Sequence, residues 1–111
     1  MVCERLDNIV DPVRRVGFLK IDVEGAELLA LRGGADLLRR DRPTILFESG
    51  PGSAEKLGLS REELFAFLTK EMGYSVYLVG DYLRGNAPLD IHAFEQCHTY
   101  PFRAFNYVAA S

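Results

Sequence analysis

The pattern of apolar and polar positions is clearest between Phe18 and Leu28. An apolar run ends there in two acids and a glycine, Asp22, Glu24 and Gly25, and helical spacing follows. This order is typical of a buried strand that carries polar groups to the edge of a sheet. Because residues 16–23 are apolar on both faces except at two positions, we expect a strand of a parallel sheet that is covered on both sides.

The next part of the chain repeats this alternation of strand and helix. Helical spacing continues after Gly25, is interrupted at Gly33-Gly34, and stops before Pro43, so we expect two short helical pieces. Residues 44–48 then form a second apolar run that ends in an acid, Glu48. Strand, helix and strand make a βαβ unit, in which the two strands are parallel.

Three more elements complete the predicted domain. Ser60 followed by Glu63 is a capping box, which predicts a helix that Gly73 ends. Residues 74–79 predict a strand, and residues 105–109 predict a last strand, antiparallel because no helix-length crossover precedes it. We therefore expect one α/β domain over residues 1–111, with a mainly parallel sheet and flanking helices.

Composition and charge exclude several classes of protein. Sixteen acids and thirteen bases give a net charge of -3, which does not favour a nucleic-acid partner. The longest apolar runs are far shorter than the roughly 18 residues of a membrane helix, and the N-terminus lacks the pattern of a signal peptide. Cys3 and Cys97 stand at opposite ends without CxxC spacing, which indicates neither a zinc ribbon nor a disulfide framework. We expect a soluble, cytoplasmic protein without a membrane partner.

Two other groups of residues favour packing over chemistry. His92, Cys97 and His98 lie close together but lack a recognised zinc spacing, so we expect packing or surface residues and no metal. The aromatic residues between Tyr74 and Tyr107 could line a pocket, but aromatics at strand spacing are more often part of the core.

The acids at the strand ends are the best candidates for function. Ligands of open α/β sheets bind beyond the carboxyl ends of the strands, where Asp22, Glu24 and Glu48 are expected. Such acids could bind a hard cation, position a hydroxyl or act as a general base. The alternative is structural, since acids near a helix N-terminus stabilise its dipole. We favour function for Asp22, which interrupts an apolar strand, and structure for Glu27, which lies inside the helix.

Four segments resemble the FkbM family of S-adenosylmethionine-dependent methyltransferases, in the family's order and spacing. They are Leu6-Asp7, Lys20–Glu27, Leu31–Gly34 and Ile45–Glu48. The resemblance implies a Rossmann-like fold in which residues 18–23 form the fourth strand, residues 44–48 the fifth, and the final strands an antiparallel hairpin at the sheet edge. It also implies methyl transfer, mostly to hydroxyl oxygens of small molecules or sugars.

The chain departs from that family at the cofactor. Such methyltransferases hold S-adenosylmethionine on a glycine-rich turn after the first strand and on an acid that binds the ribose, and neither has a counterpart here. Gly50-Pro51-Gly52 is the nearest glycine pattern, but it follows the second strand of this chain and contains proline. We expect the C-terminal half of an FkbM-like domain, which lacks the first strands and does not bind the cofactor alone. Asp22, Glu24 and Glu48 then lie on the acceptor side.

The rival interpretation is a non-enzymatic dimerisation or binding module derived from a methyltransferase. Without the first strands, the strand from Phe18 to Val23 would have an unpaired apolar edge, and such edges pair with other chains. We therefore expect a homodimer, or a partner chain that covers this edge.

Overall fold

A computed structural model describes residues 15–21, 26–50, 55–98 and 106–111 of the chain. These residues form a mixed α/β fold with one four-stranded sheet and flanking helices. In chain order the elements are β1 (Phe18–Ile21), α1 (Glu27–Arg32), α2 (Ala35–Asp41), β2 (Thr44–Glu48), a 3-10 turn (Glu55–Leu57), α3 (Arg61–Ala66) with its π-helical continuation (Phe67–Glu71), β3 (Ser75–Leu78), α4 (Val79–Arg84), α5 (Ile91–Cys97) and β4 (Asn106–Ala110).

The sheet has the strand order β1-β2-β4-β3. β1 and β2 are parallel, which confirms the βαβ unit, and β4 is antiparallel to both of its neighbours, which confirms the direction of the last strand. The mainly parallel sheet was a wrong prediction for the described strands, because β4 is inserted between β2 and β3 and makes two of the three pairings antiparallel. Since both neighbours of β4 run against it, β1, β2 and β3 point the same way and end at one edge.

Two short helices follow β1, as the interruption at Gly33-Gly34 predicts. α1 ends at Gly33, and α2 ends at Arg42, whose backbone is left-handed with a φ of 50°. This conformation is uncommon for a residue other than glycine. The guanidinium of Arg42 lies 4.4 Å from the centroid of the Tyr74 ring and donates to the Met72 carbonyl. These contacts hold the turn that leads into β2.

Asp41 fastens the end of α2 to the chain before β1. Its carboxylate accepts hydrogen bonds from Arg40 at 2.7 Å, from the Val16 backbone N–H at 2.9 Å and from Arg15 at 3.0 Å, and its side chain is 1% exposed. The hydrogen bond from Arg40, together with those from Val16 and Arg15, holds the pKa of Asp41 well below its ordinary value. The carboxylate therefore stabilises the fold at neutral pH, and this contribution is lost when acid protonates it.

The capping box predicted at Ser60 is present. The Glu63 backbone N–H donates to the Ser60 hydroxyl at 3.1 Å, and α3 begins at the next residue, Arg61. The helix continues into the π-helical segment and ends before Gly73, whose φ of 71° is the left-handed conformation that glycine adopts readily. Sequence and structure therefore agree on both ends of this helix.

The core lies on one face of the sheet, because strand register places alternate residues on opposite faces. Six sheet residues on this covered face are at most 7% exposed, and Leu19 and Leu78 on the same face are partly buried: the six are Ile21, Ile45, Phe47, Val76, Tyr107 and Ala109. They belong to one buried cluster with helix residues that include Leu28, Leu31, Leu38, Leu68 and Phe94. The helices thus cover this face with a layer of apolar side chains.

The opposite face of the sheet is more open. Phe18 is 60% exposed, Lys20 is exposed and Leu46 is half-buried. Val108 is buried but lies outside the core cluster. The prediction that β1 is covered on both sides was therefore wrong for its described residues, which alternate in exposure as in a half-buried strand.

No helix in the described part of the chain is long and apolar enough to span a bilayer. β1 is one of the two edge strands of the described sheet, and β3 is the other. The homodimer through the edge of β1 stays a prediction.

Candidate functional site

The predicted acids stand in the sequence at the ends of two neighbouring parallel strands. Ile21, the last residue of β1, stands opposite Phe47 of β2. In the sequence Asp22 follows Ile21, and Glu48 follows Phe47. Asp22 and Glu24 lie outside the described residues. Glu48 is the last residue of β2, is half-buried, and pairs in register with Asn106 of β4.

Glu48 and Ser49 belong to different sides of the sheet. Phe47 is on the covered face and alternation places Glu48 on the open face, whereas the next side chain, Ser49, is buried again at 6% exposure. The end of β2 therefore presents one carboxylate to the open face and one hydroxyl to the core.

The predicted structural residue Glu27 is buried in the first turn of α1, where a carboxylate complements the helix dipole.

Ser49 and His98 form a buried hydrogen-bonded pair at this edge. The Ser49 Oγ lies 2.7 Å from Nε2 of His98, and Nδ1 of His98 lies 2.8 Å from the Phe94 carbonyl oxygen. Because a carbonyl oxygen only accepts, Nδ1 carries the proton and donates to it. Nε2 of the neutral ring is then the acceptor, and the Ser49 hydroxyl donates to it.

Aromatic rings enclose the imidazole. Tyr107 stacks parallel to His98 with 5.8 Å between ring centroids, and Phe94 meets it edge-on at 4.7 Å. Burial lowers the pKa of His98, although its hydrogen bond to the Phe94 carbonyl acts in the opposite direction. His98 is therefore neutral at neutral pH, in agreement with the tautomer that its hydrogen bonds require.

Tyr107, whose ring stacks on the imidazole, adds a buried hydroxyl to this group. Burial raises the pKa of the Tyr107 hydroxyl well above its ordinary value, and the neighbouring Cys97 raises it further. Tyr107 thus stays protonated. Its ring also stacks on Phe47 with 5.6 Å between centroids, which connects the polar pair to the core under β2.

A cluster of charged side chains next to this pair connects α3, α5 and the 3-10 turn. Arg61 of α3 donates to Glu95 of α5 at 3.1 Å and to Glu55 of the 3-10 turn at 3.3 Å. Burial raises the pKa of Glu95, and its hydrogen bond to Glu62 lowers the pKa of Glu62.

The three residues considered as metal ligands lie in different environments. His92 is exposed on α5, whereas Cys97 and His98 are buried. Within the described ranges, no group of three or more His, Cys, Asp and Glu side chains is placed to hold a metal ion. Sequence reasoning missed the Ser49–His98 pair, since its members are 49 positions apart and no local pattern connects them.

A family model described as the methyltransferase FkbM domain matches residues 1–76 of the 111. The chain belongs to the FkbM methyltransferase family. The match confirms the resemblance carried by residues 6–48 and ends inside β3, so Ser49 lies within the matched region and His98 beyond it. No curated protein and no solved structure gives a significant match to the chain.

FkbM methyltransferases as a family use S-adenosylmethionine, which needs a turn where backbone approaches the cofactor closely. Within the described ranges, no strand is followed by a turn with two or more glycines.

Proposed function

We propose that this chain supplies the acceptor side of an FkbM-type O-methyl transfer. The acceptor is a hydroxyl group of a small molecule or sugar, and it binds at the carboxyl edge of β1 and β2. S-adenosylmethionine is the methyl donor of this proposal, and the chain does not hold it through the residues described above.

The parallel register of β1 and β2 is the observation that carries the proposal. It sets Ile21 beside Phe47, each followed directly by an acid of the predicted site. Ligands of α/β sheets bind at this end of the strands. Glu48 adds a half-buried carboxylate on the open face.

Carboxylates suit the chemistry that the acceptor requires. Methyl transfer to a hydroxyl needs the oxygen oriented towards the methyl group and its proton removed. In the proposal, Asp22 and Glu24 orient or deprotonate the hydroxyl, and Glu48 assists from the neighbouring strand. A positioned general base of this kind typically contributes about 10² to 10⁴ in rate.

The proposal is tested by mapping a hydroxyl ligand on the 15N-labelled chain. Monosaccharides at millimolar concentration are the probe, and amide shifts are followed by NMR. We expect shifts to concentrate at Glu48 and the residues next to it, and to disappear in Glu48→Gln. Glu63→Gln, which changes an exposed acid on α3, is the matched control and should leave the shifts unchanged. Shifts spread over other surfaces, or none at Glu48, would contradict the acceptor assignment.

A further inference from the structure

We propose that Ser49 and His98 are positioning residues of the acceptor side: their hydrogen bond ties the end of β2 to the end of α5 and thereby fixes the direction of Glu48. This inference rests on the proposed function, because positioning Glu48 matters for catalysis only if methyl transfer takes place at this edge. The contact itself is a property of the fold, so it can be measured whether or not methyl transfer occurs.

The first support is the position of Ser49 directly after Glu48. The backbone pairing of β2 with β4 ends at Glu48 and Asn106. Glu48 is thus the last residue of β2 that the sheet pairing holds, and one residue further along the chain the Ser49 hydroxyl bond to His98 adds a second contact at this end of the strand. Because consecutive side chains of an extended strand point to opposite faces, holding Ser49 towards the core directs Glu48 towards the open face.

The second support is that His98 is itself held on several sides. Its Nδ1–H donates to the Phe94 carbonyl one helical turn earlier, and its ring packs against the rings of Tyr107 and Phe94, which also contact each other. His98 is the C-cap residue of α5 and is 5% exposed. An imidazole fixed in this way offers Nε2 at one place, which makes the bond to Ser49 directional.

The pair also depends on protonation. Neutral His98 accepts from Ser49, whereas an imidazolium would donate from both nitrogens and force the Ser49 hydroxyl to accept. The proton of that hydroxyl would then need a new partner, so the contact at the end of β2 would reverse. Among the described residues, the charged and titratable groups around His98 are Arg61 of α3, Glu55 of the 3-10 turn, Cys97 of α5 and Tyr107 of β4.

The test is an NMR titration of the whole chain, labelled with 15N in the backbone and in histidine, from about pH 8 to about pH 4, where histidine titrates. We expect His98 to be the Nδ1–H tautomer and to titrate below the ordinary histidine value of 6.5. The amide signals of Glu48 and Ser49 should change with the midpoint of His98.

Variants separate positioning from general stability. In Ser49→Ala, His98 should still titrate while the Glu48 amide no longer follows it, and Ser49→Thr should restore the link because it keeps a hydroxyl. His92→Gln is the matched control on the same helix and should change nothing at Glu48.

Two results would overturn the proposal. One is a proton on Nε2 of His98 at neutral pH, and the other is a Glu48 amide that ignores the His98 midpoint in the wild-type chain. The wild-type titration decides the matter even if a variant fails to fold. Loss of sugar binding with an intact His98–Glu48 link would instead count against the proposed function alone.

Discussion

The two faces of the sheet differ in what covers them, although both carry apolar strand residues. On the covered face, Phe47 is 1% exposed and stacks on Tyr107. Across the open face, Phe18 is 60% exposed and Leu46 is half-buried. A run of apolar residues therefore shows that a strand belongs to a sheet, but not how many layers pack against it.

The largest effect that separates the faces should come from truncating Phe47. Phe47→Ala removes a fully buried ring and leaves a cavity, so we expect the free energy of unfolding to fall by ~3 to 5 kcal/mol. Leu46→Ala, the matched change on the open face, should cost ~1 to 2 kcal/mol because only part of that side chain leaves water on folding. Urea denaturation measures both. Equal losses would show that the open face is covered as well.

A smaller effect should follow from one buried hydroxyl. The Tyr74 hydroxyl donates to the Pro43 carbonyl at 2.7 Å, and Tyr74 is 3% exposed. Tyr74→Phe leaves that buried carbonyl without this donor, at an expected cost of ~1 to 2 kcal/mol. Tyr77→Phe, on the open face, should change the free energy of unfolding by less than ~0.5 kcal/mol. A Tyr77 effect as large as that of Tyr74 would contradict the difference between the faces.

Low pH should lower the free energy of unfolding, because it protonates His98, which is buried and neutral on the covered face. Its pKa in the folded chain lies below the ordinary 6.5, so the unfolded chain binds the proton more readily. The stabilisation is complete above pH 6.5 and is lost as the pH falls from there through the folded-state pKa. His98→Gln should flatten this part of the stability curve measured by urea denaturation, and His92→Gln should not. An unchanged slope in His98→Gln would contradict a buried neutral imidazole.

The smallest effect on stability is expected at the outer strand. Phe18→Ser replaces an exposed side chain and should change the free energy of unfolding by less than ~0.5 kcal/mol. If the homodimer forms through this edge, the same substitution should weaken it, because it removes apolar contact area. Sedimentation velocity over a range of concentrations checks this. A wild-type chain that stays monomeric at the highest concentration would contradict the predicted dimer.

Local sequence signals predicted the parts of the fold that local interactions decide. The βαβ unit, the break at Gly33-Gly34, the Ser60 cap and the acid at the end of β2 all follow from neighbouring residues. The place of β4 between β2 and β3 does not, because strand order depends on pairing between distant segments. For the same reason the covered face of β1 could not be read from its apolar run.

The candidate site divides in the same way. Glu48 was predicted because it ends an apolar strand, a pattern visible within five residues. The Ser49–His98 pair joins the end of β2 to the end of α5, and neither residue stands in a motif. The contacts of Phe94 and His98 with the Tyr107 ring of β4 help to bring them together.

Calorimetric titration of the chain with S-adenosylmethionine tests the central claim most directly. An acceptor side without its donor site should show no saturable heat of binding up to millimolar concentration. Saturable binding near the micromolar range, where methyltransferases use their cofactor, would contradict the account. It would make the chain a complete methyltransferase site.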